Sequence, residues 1–93
     1  MSAQIVSKLY SVNRNGRQRF IGAYGRMSSA TRVVDRIMER EFRRHKMSMI
    51  GTPHHNFQWE DGKLFMHYWF LTRFRHGKRQ EIHRKFEIRD EPL

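Results

Sequence analysis

Apolar and polar positions alternate through the first two dozen residues, the period of a half-buried strand. Lys8 to Tyr24 is interrupted once, at Asn13-Arg14-Asn15-Gly16, and predicts a β-hairpin, because Asn-Gly accepts the positive φ angles of a type I′ turn. With Asn15-Gly16 as the loop, Arg14 faces Arg17 and Tyr10 faces Ile21. Val6, Tyr10, Val12, Ile21 and Ala23 then share one side, the expected core side.

The period changes after Gly25. Ala30, Val33, Val34, Ile37, Met38, Phe42 and His45 follow the i, i+3, i+4 rhythm of an amphipathic helix, with Glu41 the one charged interruption. Ser28 or Ser29 is the expected N-cap, since either hydroxyl can accept an orphan backbone N–H. Arg43, Arg44, His45 and Lys46 bring positive charge to the carbonyl end, and Gly51 and Pro53 bar continuation.

Three antiparallel strands are expected in the C-terminal half. Phe57-Trp59 and Lys63-Phe74 flank a second tight-turn signature, Asp61-Gly62, and Arg75-His76-Gly77 reads as a three-residue loop with Gly77 left-handed. That loop length sets Phe70 opposite Ile82, Met66 opposite Phe86 and Leu64 opposite Ile88. Phe57, Trp59, Leu64, Met66, Tyr68, Phe70, Ile82, Phe86 and Ile88 then form one apolar side. A two-residue loop would scatter them over both faces. The helix's apolar stripe can lie against this side, so the expectation is a two-layer α+β domain over residues 1–93: an antiparallel sheet on one long helix, order β-β-α-β-β-β. Residues 89–93 are expected to form a loose tail.

Charge narrows the picture. The chain carries 19 Lys+Arg against 9 Asp+Glu, a net charge of +10 with histidine neutral, and 13% of its residues are aromatic. Aromatic side chains argue against disorder. The absence of cysteine removes disulfides, thiol catalysis and Cys-based zinc sites. The longest near-apolar run, Leu64 to Leu71, is too short to span a bilayer and contains His67, and Met1-Ser2-Ala3-Gln4 lacks a secretion signal. A soluble, cytoplasmic protein without a membrane partner is expected.

Two surfaces carry candidate chemistry. Arg32, Arg36, Arg40 and Arg44 recur every four residues and form one row on the helix, with Arg43 and Lys46 beside its end. Guanidinium forks grip phosphate oxygens or carboxylates equally well, and Asp35 and Glu39 do not balance the row. The side of the C-terminal sheet opposite the core carries Phe65, His67, Trp69, Leu71, Arg73 and Arg75 on one strand, and Arg79, His83 and Lys85 on the next. Rings interleaved with cations suit single-stranded nucleic acid, where bases stack and cations hold the backbone. Phe65 and Trp69 are the expected stacking residues, or anchors in a protein interface. An uncovered Trp-Phe-Leu cluster is an unusual patch on a monomer, and either the N-terminal hairpin or a second subunit in a homodimer could shelter it.

His54-His55-Asn56 superficially resembles the residue order of a His-Asn-His nuclease site. Adjacent histidines point apart in extended chain and no carboxylate sits at a ligand spacing, so neither a catalytic nor a metal site is expected, and no cofactor. No nucleophile elbow or phosphate loop occurs.

Arg19-Phe20-Ile21-Gly22-Ala23-Tyr24, followed by Ser28-Ser29-Ala30 opening a helix, resembles the sheet-then-helix core of integrase arm-binding domains and plant ethylene-response DNA-binding domains. The resemblance implies a sheet laid in a major groove with basic side chains on base edges. It covers residues 8–44, shows two strands where those families have three, and carries no residue role over. The expected function is therefore a non-catalytic nucleic-acid-binding protein. The alternative is a protein-binding modulator or inhibitor that docks on an acidic surface of a larger nucleic-acid-processing enzyme, as small phage and mobile-element accessory proteins do by analogy.

Overall fold

The computed structural model describes residues 4–93. Strands β1 (Ile5–Val12) and β2 (Gln18–Tyr24) precede helix α1 (Met27–Arg44), and β3 (Met49–Glu60), β4 (Lys63–Arg73) and β5 (Arg79–Pro92) follow it. All five strands join one antiparallel sheet in the order β2-β1-β5-β4-β3, with the helix on one face. The fold is α+β, with the element order that the residue pattern predicts.

Turn chemistry sets the register. Asp61 and Gly62 both have positive φ, 49° and 73°, as a two-residue type I′ loop requires, and Glu60 pairs with Lys63 across it. Gly77 sits at φ 83° in the β4–β5 turn, where the Gly77 N–H donates to the Phe74 carbonyl and the Phe74 N–H to the Lys78 carbonyl. The expected pairs Phe70–Ile82, Met66–Phe86 and Leu64–Ile88 all form.

The β1–β2 turn uses this second geometry and departs from the expected type I′ loop. Gly16 N–H donates to the Asn13 carbonyl and Asn13 N–H to the Arg17 carbonyl, while Asn13 Oδ1 accepts from the Asn15 and Arg17 N–H groups. The side-chain bonds of Asn13 favour the longer loop, which shifts the pairing by one residue: Tyr10 faces Phe20, not Ile21. A bulge between Leu9 and Tyr10 leaves Ile21 unpaired and sets Gly22 opposite Leu9, and Ile21 packs on the core side. Leu9, fully buried against Ile88, supplies the core contact expected of Tyr10 and Val12, which lie on the opposite face; Ala23 is exposed.

Ala30, Val34 and Met38 are buried against Leu9, Met66, Tyr68, Phe70, Phe86 and Ile88. The helix begins earlier than expected: Arg26 is the N-cap, without a side-chain bond, and Ser28 and Ser29 fall in the first turn because Met27 already packs on the core. Glu41 is 8% exposed. Its Oε1 lies 2.5 Å from the Arg84 guanidinium of β5, an ion pair outside hydrogen-bond alignment, and Arg44 and His45 approach the same carboxylate. The charged interruption of the helix stripe thus ties the helix to the sheet.

Two further expectations change. The strand expected at Phe57–Trp59 starts earlier: β3 begins at Met49 and is interrupted by an irregularity between Ile50 and His54, where Gly51 takes φ 71° and Pro53 sits on an edge strand that asks nothing of its missing N–H. Residues 89–92 are not a loose tail but the end of β5. Asp90 accepts from the Ser7 hydroxyl, Glu91 pairs with Lys8, and the Leu93 N–H donates to the Gln4 carbonyl.

Candidate functional site

The helix backbone approaches β1, β2 and β5, and its longer side chains reach β4, as when the Phe42 and Phe70 rings meet edge to face. Phe57 and Trp59 on β3 share the core side as expected but lie beyond the helix, 43% and 59% exposed. The N-terminal hairpin extends the sheet through β5 and does not fold over it. Among the described residues no helix or strand lies over the face opposite the helix, where Val6 and Glu87 are nonetheless buried.

Cross-strand pairing fixes what that face presents. At one end Glu60, Lys63, Arg89 and Lys8 stand side by side, followed by Gln58, Phe65, Glu87, Tyr10 and Phe20. Next come Asn56, His67, Lys85, Val12 and Gln18, then His54, Trp69 and His83. Leu71 beside Glu81 and Arg73 beside Arg79 complete the far end.

The first end neutralises itself. Arg89 bonds Glu87, Glu91 and Gln18 and lies 4.5 Å over the Tyr10 ring, while Glu87 is buried beneath it. Hydrogen bonding to Glu87 raises the Arg89 pKa against an opposing effect of burial, so the guanidinium stays charged and committed.

The far end does not neutralise itself. Trp69 is half-buried there, as is Phe65 two rows nearer the first end. His54 stacks on Trp69 with centroids 5.5 Å apart, and the His67 ring lies tilted to Trp69 at 4.9 Å. His67 Nε2 and His83 Nδ1 are 2.8 Å apart, and His83 Nε2 lies 2.5 Å from Glu81. Burial, then Lys85 and His83, lower the His67 pKa below 6.5, with Glu81 opposing. Arg73, Arg79 and Lys85 are exposed and make no ion pair among the described residues; Arg75 lies in the turn beyond them.

Comparison with known protein families, characterised proteins and solved structures returned no match. The family likeness of residues 8–44 finds no support there, and the chemistry of the site stands on its geometry.

The other candidate row lies on the opposite side of the molecule. Arg32, Arg36, Arg40, Arg43 and Arg44 are all exposed on the helix surface away from the sheet. Arg44 approaches Glu41 at 3.5 Å, and the other four pair with no carboxylate among the described residues. The residues expected to bind thus divide into two surfaces back to back, one with rings and one without. His54 and His55 fall on opposite faces, His54 on Trp69 and His55 beside Phe57 and Tyr68. Among the described residues no cluster of three metal-ligating side chains forms, and no helix is long and apolar enough to cross a membrane.

Sequence reasoning missed five contributors. His54 joins the site because β3 is longer than its apolar pattern suggests. Tyr10 and Phe20 reach the outer face through the shifted turn, which the Asx-turn capacity of Asn13 signals. Arg14 and Arg19 border a cleft of about 960 Å³ beside β5, formed where β1 ends and β5 continues.

Proposed function

We propose that this protein binds single-stranded nucleic acid across the open face of β3, β4 and β5. The carrying observation is the half-buried Trp69 in an uncovered sheet face, flanked by His54 and His67 and followed by the uncompensated Arg73, Arg79 and Lys85. Ring faces on a sheet accept unstacked bases, and the cations at its end hold the phosphates. A duplex keeps its bases stacked inside and offers these rings no partner. The helix arginines supply a second, ring-free surface for phosphate or an acidic protein.

Fluorescence anisotropy with a single-stranded RNA, the matching DNA strand and the duplex, at two salt concentrations, tests the reading. Either single strand should bind more tightly than the duplex, with a log–log salt slope of about −0.7 per phosphate neutralised. Preference for the duplex, or binding weaker than micromolar at low salt, would refute it.

A further inference from the structure

The sheet has a step in it. Strand β1 ends at Val12 opposite Lys85, whereas β4 continues beside β5 as far as Arg79, so Arg79–Arg84 has a partner strand on one side alone. At about 3.3 Å per residue this open edge is roughly 20 Å long. The cleft beside it is floored by Ile21, Ile37 and Ile82 and rimmed by Arg14 and Arg19 of the β1–β2 hairpin.

We propose that this step is a strand-addition site for an extended acidic segment of a partner protein with apolar residues at alternate positions. An added strand gains main-chain hydrogen bonds along the edge and selects its partner by alternate side chains. Residues on the helix side would meet the apolar floor, and residues on the other would meet Arg79, His83 and Lys85, with Glu81 between them.

Three observations favour that occupant. The outer edge of β3 is interrupted by Pro53 and an irregularity, devices that discourage strand addition, whereas Arg79–Arg84 holds a regular register and contains neither Gly nor Pro. A second copy of this chain fits poorly, since antiparallel self-pairing of the segment sets Arg79 opposite Arg84, and parallel in-register pairing sets each arginine on itself. The edge is also held in place, because Glu41 fixes Arg84 to the helix and the ladder with β4 runs its whole length.

The test is a titration with a short peptide of alternating Glu and Val, followed residue by residue through backbone amide chemical shifts and hydrogen exchange. Shifts should concentrate on residues 79–84, and alternate amides there should exchange about tenfold more slowly. N-methylating alternate peptide residues keeps the charge and removes the ladder donors, and should weaken binding at least about tenfold. Arg14→Glu with Arg19→Glu should weaken it, while Trp69→Ala should not, which separates this site from the proposed nucleic-acid face. Equal binding of the N-methylated peptide, shifts centred on Arg32, Arg36 and Arg40 or on Phe65 and Trp69, or no binding at millimolar peptide would overturn the proposal.

Discussion

Individual side chains in this protein do two kinds of work, and Glu41 and Trp69 mark the extremes. Glu41 is buried and answered by Arg84, so its charge serves the fold. Arg84→Ala leaves that carboxylate with only Arg44 and His45 nearby. It should cost about 1–2 kcal/mol in urea unfolding, the low end for a buried acceptor because the Arg84 side chain is itself part-exposed. Trp69→Ala removes a ring whose stacking would be worth about 1–3 kcal/mol, and should reduce single-strand affinity roughly 5- to 150-fold in anisotropy titrations. Burial, with Asp35 adding to it, pushes the Tyr68 hydroxyl up to about 12, so this phenol stays neutral across the working range. His67 sets a pH dependence. Its folded pKa lies below the 6.5 of the unfolded chain, so in the window beneath 6.5 the unfolded state binds more protons. Its contribution to stability is therefore full above pH 6.5 and declines as pH falls through that window. Under the proposed function, bound phosphates would reverse the balance at this site by favouring its charged form. Single-strand affinity should rise between pH 7.5 and 6, and His67→Asn should flatten that rise.

At the scale of elements, the turns decide which face each side chain joins. Gly16 and Gly77, at φ 80° and 83°, hold their turns in a conformation that L side chains rarely adopt. Gly77→Ala should lower stability by about 1 kcal/mol, read from the urea midpoint, and loosen the pairing of Arg73 with Arg79. The C-terminal hairpin was legible in the sequence because its loop chemistry and its apolar alternation agree, and a slip of one residue would have spoiled both. The N-terminal hairpin offers no such check. Asn13 and Asn15 both favour turns, and the short strands tolerate either register, so the side-chain bonds of Asn13 decide it. The start of β3 was illegible for another reason. Gly51 and Pro53 read as loop residues, yet an edge strand accommodates both at an irregularity.

Over the whole molecule, the sheet sorts charge by face and by end. The domain is 60 Å long and 23 Å by 19 Å across, drawn out by a β4–β5 arm that runs beyond the end of β1. Acidic residues gather where β1, β2 and β5 meet, and the arm carries cations opposed by Glu81. Sequence alone yields both the arginine row and the ring-and-cation stripe and sets them on opposite sides of the sheet, but not whether the N-terminal hairpin covers the stripe, which depends on that hairpin joining β5 edge to edge. A strand held on the ring face should be indifferent to the helix row except through long-range charge. Arg36→Glu with Arg40→Glu should accordingly weaken single-strand binding less than Arg73→Glu with Arg79→Glu at 150 mM salt, where charges beyond about 8 Å are screened.

The two tryptophans lie on opposite faces of the sheet, and this allows the central claim to be read directly. In Trp59→Phe the remaining indole, Trp69, should be quenched by a single-stranded oligonucleotide along the same curve as the anisotropy change. In Trp69→Phe the remaining Trp59 should keep its emission. Quenching of Trp59 with Trp69 unaffected, or saturation of binding without any change in Trp69 emission, would contradict base stacking on this face.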